Sequence, residues 1–184
     1  TYGITGDSTV MASELHVDAI KHSGGTSALT IDSSGRVLQP SVPAFRVGIS
    51  SSQSITASDT DTIIEWNEGI LSESDNCFSQ GGFSWSSGIV TVPLSGVYHF
   101  SLIARVDGIG SGYLLIKILR NNDDASNRDF YSIEGAPASN HQAVTGSGVF
   151  KLTANDTVRV IVYANADSNY EVHHQSLFSG HLVG

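Results

Sequence analysis

A single cysteine stands in this chain, at position 77. An intrachain disulfide and a multi-cysteine metal cluster are therefore excluded, and Cys77 reads as a small apolar residue for the interior rather than a nucleophile. Charge is scarce as well. Only 15 % of residues are charged, and the 9 Lys and Arg are outnumbered by 18 Asp and Glu. A net charge of −9 has the wrong sign for a binder of phosphate backbones, which argues against a nucleic-acid partner. No apolar run approaches the length of a membrane span, and no secretory leader pattern opens the sequence, so no membrane insertion is expected. Catalytic signatures are missing too. There is no Gly-x-Ser-x-Gly elbow, no zinc-protease helix and no phosphate-cradling glycine loop. Glu65 and Glu73 could in principle be the paired carboxylates of a glycosidase, but such pairs cannot be recognised from sequence alone. The chain is read as a non-enzyme.

What is present is β-structure. The polar surface is built from Ser, Thr, Asn and Gly rather than Lys and Glu, which suits strands better than amphipathic helices. The clearest segment follows the Pro93–Gly96 turn. Tyr98, Phe100, Leu102, Ala104 and Val106 alternate with Val97, His99, Ser101, Ile103 and Arg105. Period two over that length is a strand, and its aromatic face needs a second sheet to cover it.

The first forty residues differ from the rest. Short alternating pieces at 14–20, 28–32 and 36–38 are separated by Lys21-His22-Ser23-Gly24-Gly25 and Ser33-Ser34-Gly35 turns. Strands so short bury too little to stand alone. Gln39-Pro40-Ser41-Val42-Pro43 is a stiff linker, so residues 1–42 form an N-terminal β-module with linker, and residues 43–184 a head. Through the head, about ten strands recur at sandwich spacing. A loop fills 50–61, and further polar loops fill 121–129, 135–140 and 165–169. Two strands are apolar on both faces: Tyr113, Leu115 and Leu119 oppose Leu114, Ile116 and Ile118, and Ile161 and Tyr163 oppose Val158, Val160 and Val162. A monomeric sandwich leaves one wet face per sheet, so these strands are expected to pack against other subunits.

The order of motifs is that of a known family. Ala44-Phe45, Gly96-x-Tyr98-x-Phe100, a Leu/Ile-rich strand ending in Asn121, Gly148-x-Phe150-x-Leu152 with Asp156, and Ser176-x-Phe178-Ser179-Gly180 together resemble the globular head of the complement C1q family. His181 stands where that family usually places an aromatic. The resemblance implies a ten-stranded tumour-necrosis-factor-like jelly roll, a tight homotrimer with aromatics along its axis, and action by binding. Phe45, Tyr98, Phe100, Tyr113, Leu115, Ile161, Tyr163 and Phe178 are the residues expected in core or trimer interface. No collagen-like or heptad stalk precedes the head. In its place, residues 28–37 look like the short β-modules near the start of tailed-phage virion proteins.

Ligand chemistry is sparsely signposted. Asn121, Asn122, Asp123, Asp124, Asn140, Asn165, Asp167 and Asn169 are the candidate ligand-loop residues, since polar loops on a rigid sandwich are where recognition usually lives. Asp123 and Asp124, with Asp129 nearby, are the candidate structural calcium ligands, weighed against a solvated acidic loop. No cofactor is expected. His173 and His174 are adjacent and so point to opposite faces of a strand, a poor bidentate metal site; they read as polar loop or strand residues, with zinc at a threefold axis as the alternative. Asn155-Asp156-Thr157 fits a glycosylation sequon in a tight turn. Trp66 and Trp85 are either sugar-stacking rings or core or interface aromatics.

Two functions follow. One is a homotrimeric bacteriophage virion surface protein, anchored to neighbouring tail or capsid proteins through residues 1–40, with a head for host glycan or protein recognition (tail fibre or spike) or for capsid decoration. The other is a secreted lectin-like module. The absence of disulfides and of a leader favours the first.

Overall fold

The computed structural model describes residues 16–56, 59–67, 77–109, 112–121, 130–135, 141–165 and 169–184, with backbone alone for 130–135. Glu73, Asn122, Asp123, Asp124, Asp129, Asn140 and Asp167 lie outside the described residues. Every regular element among the described residues is a strand, and no helix is long and apolar enough to cross a membrane. The chain divides into two compact units, Thr1–Pro40 and Ser41–Gly184.

In the first unit, β1 (Ala19–Lys21), β2 (Ser27–Ile31) and β3 (Val37–Leu38) form an antiparallel sheet in that order. Asp32 builds the second turn. Its Oδ1 accepts the amides of Ser34 and Arg36 at 2.9 and 3.0 Å, and its Oδ2 accepts Arg36 Nε at 2.7 Å. The Arg36 amide and guanidinium hold the Asp32 carboxyl below its ordinary range. Gly35, at φ 77°, supplies the left-handed position that closes the turn. Ile20, Ile31, Val37 and Leu38 all remain exposed.

The second unit is a two-sheet sandwich in which every strand pair is antiparallel. One sheet has the order β5 (Gln53–Ile55), β15 (Tyr170–Val172), β10 (Gly96–Asp107), β16 (Leu177–Leu182), β4 (Ala44–Gly48), β7 (Phe78–Gln80), with β13 (His141–Leu152) paired to β10. The other has the order β12 (Phe130–Gly135), β11 (Tyr113–Arg120), β14 (Thr157–Asn165), β9 (Ile89–Thr91), β8 (Ser84–Ser86), with β6 (Thr62–Ile63) paired to β14.

The alternation of β10 sets the core. Tyr98, Phe100, Leu102, Ala104 and Val106 are all buried and meet Leu114, Ile116, Ile118, Val158, Val160 and Val162 in one cluster of buried side chains. Phe45 packs edge-on against Phe83 and Trp85, with both centroid distances 4.8 Å, and Trp66 stacks on Phe178 at 5.6 Å. Trp66 therefore belongs to the core, which removes it as a sugar platform, and Trp85 is half-buried against that core. Gly180 makes this packing possible. A Cβ there would overlap the Phe100 ring and lie 2.7 Å from Phe45 Cε1. Cys77 is buried, as a small apolar residue should be.

Two short strands depart from the sequence reading. β5 falls inside the stretch assigned to the 50–61 loop, and β15 precedes the paired histidines. Each is three residues long, too short to show a period, and they exist because they pair with each other and with the end of β10.

Candidate recognition surfaces

The two sheets turn very different outer faces to their surroundings. On the six-stranded sheet that face carries Tyr113, Leu115, Lys117, Leu119, Arg159, Ile161 and Tyr163. Leu115 is 8 % exposed and Ile161 5 %, so most of this apolar surface is already covered within one chain. Lys117 lies among them, 7 % exposed, and its Nζ donates to both oxygens of Asp61 at 2.7 and 3.0 Å. Tyr163 stacks on Tyr113 with centroids 5.9 Å apart and donates its hydroxyl to Asp59 Oδ1 at 2.8 Å. Asn165 Nδ2 donates to the same oxygen at 2.8 Å. Of the residues expected to need another subunit as cover, Leu115 and Ile161 are covered within the chain, whereas Tyr113 is 37 % exposed and Tyr163 half-buried. Phe45, Tyr98, Phe100 and Phe178 are likewise buried inside the single chain, as core rather than as surface.

The seven-stranded sheet is open. Its outer rows, read across β13, β10, β16 and β4, are Val149–His99–His181–Ala44 and Ser147–Ser101–Ser179–Arg46, followed by Thr145–Ile103–Leu177–Gly48. Val149 is 67 % exposed and Ile103 39 %. Ser101 and Ser179 share a 2.8 Å hydroxyl contact, and a shallow hollow of about 230 Å³ lies among Arg46, Ile103 and Leu177.

A charged cluster closes one end of this sheet. Arg105 donates Nε and Nη2 to the two oxygens of Asp107 at 2.9 and 2.8 Å, and Nη1 to Gln175 Oε1 at 2.7 Å. His141 Nδ1 lies 2.9 Å from Asp107 Oδ1. Burial pushes the Asp107 carboxyl up, but Arg105 and His141 outweigh it and hold it below its ordinary range. His173 is lowered, first by burial and then by the Arg105 and His174 charges. Carboxylate and imidazole atoms of Asp107, Glu171 and His173 lie within 4.8 Å of one another, an outline a cation could occupy. The partners argue otherwise: both Asp107 oxygens already hold a guanidinium, and His173 Nδ1 accepts the Gln175 amide at 3.2 Å. A cavity of about 330 Å³ lined by Asp107, Glu171, Asn169, Ser54 and Thr56 adjoins the cluster, offering hydrogen-bonding groups to a polar ligand.

The candidate ligand-loop residues separate. Tyr113 pairs with both Gly135 and Asn165 at one end of β11, whereas Asn121 follows Arg120 at the other. Seven steps at about 3.4 Å put those ends about 24 Å apart. Asn121, at φ 52°, is a turn residue: its Oδ1 accepts the Thr157 amide at 2.9 Å and its Nδ2 donates to Asp156 at 3.1 Å. Asn169 does line the polar cavity. Arg105, Asp107 and Glu171 were missed as site residues. The signal available was Arg105 and Asp107 on one face at the end of the longest alternating strand.

The sequence matches the C1q domain model over residues 44–183. The chain belongs to the C1q domain family. Among solved structures, the globular domain of zebrafish complement 1qA protein is similar at 19 % identity and TM-score 0.50, covering 77 % of this chain and 98 % of that one. Murine APRIL at pH 5.0 is similar at 18 % identity and TM-score 0.56, with the same coverages, and murine APRIL at pH 8.0 at 16 % and 0.55, covering 76 % and 97 %. These likenesses show the fold, a jelly-roll sandwich, and C1q domains are typically recognition modules. No curated protein sequence matches the chain.

Proposed function

We propose that this chain is a homotrimeric display module whose head self-associates through the open face of the seven-stranded sheet and whose N-terminal unit docks it to a larger assembly. The observation that carries the first part is aliphatic exposure: Val149 and Ile103 stand exposed on either side of the serine row, while the aliphatic outer residues Leu115, Leu119 and Ile161 of the other sheet are buried. Aliphatic side chains left bare on a sheet face favour association. The second part is supported by the first unit, which has four exposed aliphatic side chains on a sheet too small for a core. Because residues 28–37 resemble phage virion modules, the assembly we infer is a tailed-phage virion, and the location is its surface. The polar cavity beside Asp107 and Asn169 is the ligand-facing candidate, for a host glycan or protein, at the strand ends.

The test is to mix full-length chain, and chain lacking residues 1–40, with virions devoid of this protein. Incorporation of the full chain alone supports docking by the N-terminal unit. Equal incorporation of both moves the anchor into the head. Binding of neither, together with glycan binding that Asn169→Ala weakens, supports a free lectin-like module instead.

A further inference from the structure

Two imidazoles face each other across adjacent strands of the open face. His99 of β10 and His181 of β16 are partners in register, so their side chains leave the sheet on the same side. Their ring centroids are 5.4 Å apart and the planes are inclined at 56°. Among the described residues, neither ring makes a hydrogen bond or ion pair, and each has the other as its ring contact. All four nitrogens are thus uncommitted to protein groups, unlike those of His173.

The spacing suits a shared ion. Two imidazoles on one tetrahedral zinc-class ion, with metal–nitrogen bonds of about 2.0–2.1 Å, have centroids about 5 Å apart. The chain-neighbour pair His173 and His174 is compressed to 4.0 Å, and its Nδ1 lone pair on His173 is engaged. Neutral imidazole is a ligand for zinc, copper and nickel and a poor one for magnesium or calcium. The flanking residues in the row, Val149 and Ala44, are apolar and supply no competing cation.

We propose that His99 and His181 form a bidentate site for a divalent transition-metal ion of the zinc class, one ion per chain, with the remaining coordination positions filled by water or a neighbouring copy. The pair lies in the row of Val149, so the ion sits where copies of the chain meet. That second statement rests on the self-association reading above, whereas the site itself is formed within one chain. Because imidazole coordinates only in its neutral form, binding weakens in acid.

The experiment uses the full chain, stripped with chelator and titrated with zinc chloride in a calorimeter, alongside light scattering with and without the metal. Losing a ligand costs at least the roughly tenfold that loss of a supporting contact does. His99→Ala and His181→Ala should therefore each weaken zinc binding about tenfold or more, with unchanged circular dichroism, while His173→Ala with His174→Ala leaves it intact. Magnesium should not compete. Undiminished zinc affinity in the His99→Ala, His181→Ala double variant overturns the site. A monomer that binds zinc through this pair keeps the site and refutes the trimer. A trimer whose zinc affinity ignores the pair does the reverse.

Discussion

The outer faces of the two sheets differ in how their aliphatic residues are covered. On the six-stranded sheet, Leu115, Leu119 and Ile161 are sealed within the chain, and the buried cation among them, Lys117, is matched by Asp61. On the seven-stranded sheet the aliphatic residues are fewer and diluted by serine and histidine, yet they are the ones left bare. Apolar content along a strand therefore does not locate an interface. What matters is whether distant parts of the same chain return to cover it.

Substitutions sharpen this contrast, beginning in the core that both sheets share. Phe100→Ala should cost about 3–5 kcal/mol, since the buried ring touches Phe45, Tyr98, Phe150 and Phe178, and the lost transfer energy adds to a cavity. Urea unfolding reads this directly. An unchanged midpoint would contradict the register of β10.

On the covered face, Leu115→Ala should destabilise the fold by about 2 kcal/mol or more and leave the oligomeric state alone. On the open face, Val149→Ala should change subunit stability by no more than about 0.5 kcal/mol. Its effect should appear instead in the concentration at which the assembly dissociates on dilution. A large loss of fold stability from Val149→Ala, or dissociation caused by Leu115→Ala, would exchange the roles of the two faces.

Acid should act most gently, at the charged end of the open sheet. His173 has a folded pKa below its ordinary value, so the unfolded chain binds that proton first, and stability present above about pH 6.5 declines as the pH falls below it. Asp107 is also depressed. Its contribution is present above about pH 4 and is lost as the pH falls through its lowered folded value. Urea midpoints between pH 8 and pH 5 should fall slightly, and His173→Gln should flatten that slope.

Much of the fold could be read from the sequence because it is written in local alternation. The inward face of β10 and the full span His141–Leu152 of β13 follow from period two, and the turn residues frame β2 and β3 of the first unit, whereas β1 begins at Ala19 and includes Lys21, which the sequence places in the turn. The remainder depends on contacts between distant residues. β5 and β15 are too short for a period and are stabilised by pairing. Lys117 finds Asp61 across 56 positions, and Arg105 finds Gln175 across 70, so neither partnership leaves a local trace. The ligand loops were grouped by composition, and the antiparallel course of β11 sends them to opposite ends. His99 and His181 were visible singly. Only the β10–β16 register makes them a pair.

The central claim is that the open face of the seven-stranded sheet is where copies of this chain meet, and the mass of the particle in solution tests it most directly. Light scattering at micromolar concentration should give about three times the 19.4 kDa chain mass for the native protein and for Leu115→Ala. The Ile103→Asp, Val149→Asp double variant should give a single-chain mass with the strand signal retained in circular dichroism. A native protein that is a stable monomer, or a double variant that stays trimeric, would contradict the account.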